Sequence, residues 1–266
     1  MLRDITLGQY FPGNGVIHRL DARVKIISTF IFIACLFIVQ HIIGFAACGA
    51  AIGIVILLSK VPLSFILRGL KPIFIIIFLT FFLNLFMTGG EVIFKWGILT
   101  ITKEGFSRAI FLVIRLMLLI IGSSVLTLTT KPISMTDGIE YLLKPLKIFK
   151  VPAHELAMMM SIALRFIPTL LEETDRIMKA QMARGADFES GNIFRRARNL
   201  IPILVPLFVS AFRIAQDLAM AMEARCYRGG DMRTRLYAMK ITRVDVFAII
   251  WVTLFLGIII AGGFYL

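Results

Sequence analysis

Five apolar runs constrain this chain more than any other feature. They fall at about 26–39, 42–58, 72–88, 109–130 and 244–266. A helix that crosses a bilayer needs roughly 17–25 apolar residues. The last two runs meet that length easily, and the third meets it narrowly. Only Gln40-His41 separates the first two. Joined, they would make a helix of roughly 50 Å, too long for one crossing, so they predict a tight hairpin of two short spans. The first run follows charged residues and has no Ala-x-Ala-like site after it, so it reads as a span rather than a removable signal. The 266 residues are 59% hydrophobic, with a mean hydropathy of +0.89. A soluble domain is roughly 45–50% apolar. This composition excludes a disordered chain and argues against a soluble enzyme.

Beside this apolarity stands a net charge of +13, from 29 basic and 16 acidic residues. The stretch 131–243 holds 18 of the basic and 11 of the acidic ones. The N-terminus adds Arg3, Arg19, Arg23 and Lys25, and the 59–71 loop adds Lys60, Arg68 and Lys71. The positive-inside rule places these three regions in the cytoplasm and the C-terminus outside. The 89–108 loop is the weakest vote, because Lys95, Lys103 and Arg108 would face outward beside Glu91 and Glu104. The chain therefore divides into a membrane part of about four spans (1–130), a cytoplasmic helical stretch (131–243) and a C-terminal transmembrane helix (244–266). The expected fold is an all-α, multi-pass cell-membrane protein of about five transmembrane helices with long amphipathic cytoplasmic helices. The basicity is then an adaptation to the lipid bilayer, not a nucleic-acid footprint.

Within the cytoplasmic stretch, residues 137–149 place Ile139, Leu142, Leu143 and Leu146 on one side. Lys144, Lys147 and Lys150 stand nearby, which suits a helix at a membrane surface. From Pro152 to about Ala183 a second stripe contains Leu156, Met159, Met160, Ala163, Ile167, Leu170, Leu171, Ile177 and Met178. That is one helix face. Its other face carries Glu172–Arg176 and Asp175–Lys179 as expected i,i+4 pairs, with a kink expected near Pro168. A third pattern runs from about Ile193 to Arg225. It carries Leu200, Ile203, Leu204, Leu207, Phe208, Ala211, Ile214, Ala215, Leu218 and Met222, with Gly229-Gly230 as its stop. Residues 200–212 are nearly apolar all round and could dip into the bilayer. Basic residues at both ends argue against a crossing.

Ala183-Arg184-Gly185 and Ala224-Arg225-Cys226 sit at corresponding ends of these two helices. A helix C-terminus carries unpaired carbonyls and partial negative charge. An arginine there is either a cap or a guanidinium presented to an acidic groove of another protein.

These residues resemble the transmembrane T component of energy-coupling-factor transporters, prokaryotic importers of vitamins and metal ions. Ile5-Thr6-Leu7-Gly8-Gln9-Tyr10 with His18-Arg19-Leu20-Asp21 is similar to the family's opening. Leu164-Arg165-Phe166-Ile167-Pro168 and Met182-Ala183-Arg184-Gly185 resemble its first coupling helix, and Met222-Glu223-Ala224-Arg225-Cys226-Tyr227 its second. The resemblance implies a coupling and scaffold subunit. Its arginine tips would dock into two ATP-binding cassette ATPase subunits, and a separate small integral membrane subunit would bind the substrate. It implies Ala183, Arg184, Gly185, Ala224, Arg225 and Cys226 as docking residues. Cys226 stands where the motif has glycine, and Tyr227-Arg228-Gly229 leaves Arg228 as an alternative to Arg225. The opening motif leans toward a module shared by several substrate subunits.

The residues themselves point to a non-catalytic chain without cofactor or metal. There is no G-x-x-x-x-G-K-[ST] loop, H-E-x-x-H or G-x-S-x-G. His18, His41 and His154 lie far apart, and Cys35, Cys48 and Cys226 form no metal or disulfide pattern. Met159, Met160, Met178, Met182, Leu207, Met220 and Met222 are candidates for an adaptable partner interface, with plain helix packing as the alternative. Arg115 and Asn84 are polar groups within spans, expected to snorkel or to bond between helices. The rival function is a substrate-translocating permease or an ion-coupled carrier. It would need a polar pathway, and the spans offer little beyond these two residues.

Overall fold

The computed structural model describes residues 10–96, 99–150, 152–188, 192, 194, 198–229 and 241–265. Ile5–Gln9 of the opening motif, Ile193, Arg195, Arg196 and Gly230 lie outside them. The chain divides into two compact units: one holds the described residues of 139–237, the other those of 8–138 and 238–266.

The second unit holds most of the apolar helices. They are the short α1 (Val16–Arg19), then α2 (Ala22–Ile38), α3 (Ile42–Ser59), α4 (Leu63–Arg68), α5 (Phe74–Met87), α6 (Lys103–Thr129) and, across the unit boundary, α7 (Pro132–Leu143). The C-terminal helix Arg243–Tyr265 returns to this unit and is α10 here. Gln40-His41 breaks the first long run into α2 and α3, as expected. A 3-10 helix at Lys71–Ile73 joins α4 to α5, so the third span extends over Leu63–Met87. It is longer than its hydropathy alone suggested.

The 89–108 segment, read as a loop, contains the antiparallel strands β1 (Val92–Trp96) and β2 (Leu99–Thr102). Val92 pairs with Thr102 and Trp96 with Leu99, with a bulge between Val92 and Phe94. Thr102 then caps α6 by accepting from the Gly105 amide at 3.0 Å. This small hairpin qualifies the all-α expectation without changing the helical architecture.

Among the described residues six helices are long and apolar enough to cross a membrane: α3, Leu63–Met87, α6, Ala153–Ala183, Ile201–Ala224 and α10. The expected set of five differs in two ways. It includes α2, which has 17 residues, and it assigns the two helices of the other unit to the amphipathic class.

Cys35, Leu36, Val39, Phe45, Cys48, Ile52, Leu118 and Ile259 form a buried cluster that joins α2, α3, α6 and α10. The Phe45 and Phe111 rings stack at 5.6 Å. Arg115 donates to the Val39 carbonyl at 2.8 Å and lies 5.5 Å from the Phe45 ring centre. Its charge thus finds a helix-end carbonyl and an aromatic face. Asn84 bonds the Thr80 carbonyl of its own helix at 2.9 Å. Gly15 lets α1 approach the end of α3, because a Cβ there would strike the Ser59 carbonyl.

One polar cluster ties three helix ends together. Asp245 is fully buried. Its Oδ2 accepts from the Thr242 amide and hydroxyl, each at 2.7 Å, which caps the start of α10. Its Oδ1 accepts from the Asp21 amide at 2.7 Å. Asp21 in turn caps α2 by accepting from the Arg23 amide at 2.9 Å. Buried Lys25 donates to the Thr129 carbonyl at the end of α6, at 2.9 Å. Hence α2 and α10 start where α6 ends. Asp245→Ala leaves the Thr242 and Asp21 donors unpaired and removes a counter-charge from Lys25. The expected loss is about 2–4 kcal/mol, read as a lower thermal midpoint in detergent. An unchanged midpoint would show that the cluster contributes nothing.

Candidate functional site

The other unit is built on α8 (Ala153–Ala183) and α9 (Ile201–Ala224), which pack against each other. At 1.5 Å per residue they are rods of roughly 46 and 36 Å. Pro168 sits inside α8 without ending it. Lys179 pairs with Asp175 at 2.6 Å, as expected. Arg176 pairs with Glu173 at 3.5 Å rather than with Glu172. Positions three apart are also helix neighbours, so this correction changes the partner and not the face. Phe194, Arg198 and Asn199 are helical, Leu200 is a turn and α9 follows from Ile201, while the expected start at Ile193 lies outside the described residues. Pro202 sits in the first turn of α9, where the missing amide costs no hydrogen bond.

The two helix tips share one geometry. At the end of α8, Arg184 is the C-cap and Gly185 is left-handed, with φ +88. The Gly185 amide donates to the Met182 carbonyl at 2.9 Å, and the Ala186 amide to the Gln181 carbonyl at 3.0 Å. At the end of α9, Arg225 is the C-cap and Cys226 is left-handed, with φ +55. The Cys226 amide donates to the Glu223 carbonyl at 2.8 Å, and the Tyr227 amide to the Met222 carbonyl at 3.1 Å. Both are Schellman closures. Cys226 does the backbone work of glycine, so α9 ends at Ala224, close to the expected Arg225, with Cys226 rather than Gly229-Gly230 as its stop.

This closure decides what the arginines are free to do. Main-chain amides already satisfy the Gln181, Met182, Met222 and Glu223 carbonyls, so neither arginine side chain is needed for them. Arg184 and Arg225 are exposed, and among the described residues neither guanidinium makes a hydrogen bond or ion pair. Superposed by their closures, the two tips set Arg228 against Asp187, a residue of opposite charge. Arg225 is therefore the positional counterpart of Arg184.

The methionine candidates divide by exposure. Met159, Met182 and Met220 are exposed at 54%, 49% and 60%. Met160, Met178, Leu207 and Met222 are half-buried. The apolar stripe expected on α9 is in fact two faces. Ile203, Leu207, Ala211, Ile214, Leu218 and Met222 are its less exposed row, at helical spacing. Leu204 and Phe208 belong instead with exposed Val205, Val209 and Phe212. Sequence reasoning missed this split because both rows are apolar. Among the described residues no group of His, Cys, Asp or Glu could hold a metal ion.

Comparison with known proteins agrees with this architecture. The family model described as Cobalt transport protein (CbiQ) matches residues 13–236. A protein from Thermosediminibacter oceani is 60% identical over 94% of each chain, and one from Clostridium kluyveri 58% identical over 93% of each. One from Bacillus subtilis is 48% identical over 94% of this chain and 95% of its own. All three are named energy-coupling factor transporter transmembrane protein EcfT. With identity this high over nearly the whole length, and with a multi-span helical fold to match, the chain belongs to the EcfT family, the transmembrane component of energy-coupling factor transporters.

Proposed function

We propose that the chain couples two ATP-binding cassette ATPase subunits to a separate small membrane subunit that binds a vitamin or another micronutrient. ATP hydrolysis belongs to the partners, and this chain is the mechanical link. The carrying observation is the pair of equivalent tips, each with an exposed C-cap arginine that makes no hydrogen bond or ion pair among the described residues, at a fixed point of a long helix. A guanidinium offers a planar fork of donors that suits a carboxylate-lined groove. Because each arginine is anchored at a C-cap, a push on the tip is delivered to the whole rod. The exposed row Leu204, Val205, Phe208, Val209 and Phe212, with Met159, Met182 and Met220, suits a partner that changes, since a flexible apolar surface can re-pack. The positive-inside rule supports an N-terminus and a 131–243 stretch on the cytoplasmic side, with both tips facing the ATPases.

Arg184→Glu with Arg225→Glu is expected to abolish co-purification of the ATPase subunits while membrane insertion persists. Each change alone is expected to weaken binding by about 2 kcal/mol or more, the range of an interface hot spot. Arg228→Glu should have a much smaller effect. Retention of the full complex by the double variant would end the docking reading.

Cys226→Gly is expected to keep the complex, because glycine holds a left-handed cap at no steric cost. Cys226→Val is expected to loosen the tip by about 1–2 kcal/mol, seen as faster amide exchange at 223–227. Equal exchange in both variants would contradict the closure.

Exposed Cys226 also reports sidedness. A membrane-impermeant thiol reagent is expected to label it in inside-out vesicles and not in intact cells. Labelling from outside would invert the orientation.

A further inference from the structure

We infer that the segment after α7 is a lysine ridge that binds anionic phospholipid headgroups at the bilayer surface. Residues 137–149 were expected to be one helix. Instead α7 ends at Leu143 and a 3-10 helix covers Lys144–Phe149. Pro145 explains the change, since it has no amide to donate to the Tyr141 carbonyl and the α-ladder stops there. The Lys150 amide donates to the Lys147 carbonyl at 2.9 Å and extends the same pattern.

The change of helix type rearranges the side chains. In a 3-10 helix, residues three apart eclipse one another. Lys144 and Lys147 therefore share one edge, and Lys150 follows at the left-handed C-cap, with φ +61. Pro145 with Ile148 forms the second edge, and Leu146 with Phe149 the third. An α-helix would fan three residues at this spacing over an arc of roughly 120°. Ile148 is 86% exposed, Phe149 79% and Leu146 41%. The Lys144 ammonium lies 5.6 Å from the Tyr141 ring centre, beside the apolar edges.

Two exposed apolar edges beside one cationic edge suit a headgroup–acyl boundary: the apolar edges enter the chains and the ammonium groups meet phosphates. The ridge precedes α8, whereas Arg184 lies at the far end of that helix, so this proposal is independent of ATPase docking.

The test uses the full chain in lipid nanodiscs. Cys226→Ser and Ile148→Cys place an environment-sensitive fluorophore on the ridge, since Cys35 and Cys48 are buried. Quenching by brominated acyl chains is compared between phosphatidylcholine alone and a mixture with one-third phosphatidylglycerol. Strong quenching is expected in the mixture and several-fold less in phosphatidylcholine. Each lysine is expected to contribute about a fivefold preference at low salt. Changing Lys144, Lys147 and Lys150 together to Gln should bring the mixture down to the phosphatidylcholine level. The proposal is overturned by equal quenching in both lipids, by none in either, or by quenching that appears only once ATP-binding subunits are added. The lipid comparison on the otherwise native ridge stands even if the lysine variant misfolds.

Discussion

Every helix leaves amides at its start and carbonyls at its end with no partner inside the helix. In a chain this apolar, few polar groups are at hand to satisfy them, and lipid satisfies none. Most of what is distinctive here is a solution to that constraint. Asp245 serves the starts of α2 and α10 at once, and Lys25 serves the end of α6. Arg115 serves the Val39 carbonyl at the end of α2. At α8 and α9 the backbone closes its own carbonyls, and that closure leaves two arginines unengaged. The first three solutions consume charge to hold the membrane helices together. The last conserves charge for use elsewhere.

Much of the architecture was legible in the sequence because hydropathy and length act locally. The break at Gln40-His41, the end of α8 at Ala183 and the Asp175–Lys179 pair all came out as expected. The parallel arginines were legible as a pattern, although nothing in the pattern chose between Arg225 and Arg228. That choice needed the closure geometry, and cysteine has no strong preference for the left-handed region that would have announced it.

Other features were hidden for physical reasons. Asp245 looks like an ordinary acid in the first turn of a helix, and its partner Asp21 lies 224 residues away. No local periodicity reports such a contact. The two faces of α9 could not be separated because Leu204 and Phe208 are as apolar as Ile203 and Leu207. The 3-10 geometry after α7 follows from Pro145, but an amphipathic α-helix fits the same hydrophobic pattern nearly as well.

The two units serve different ends of one task. The apolar unit is held by a buried core and charge-linked helix ends, which favours a fixed platform. The α8–α9 unit has long rods, an exposed apolar row and closed tips, which favours transmission. The central claim is that both tips meet the ATPase subunits. Photo-crosslinking amino acids placed singly at positions 184 and 225, in membranes holding the assembled transporter, test it most directly. The account predicts crosslinks from both positions to ATP-binding subunits. Crosslinks to lipid alone, or from one tip and not the other, would contradict it.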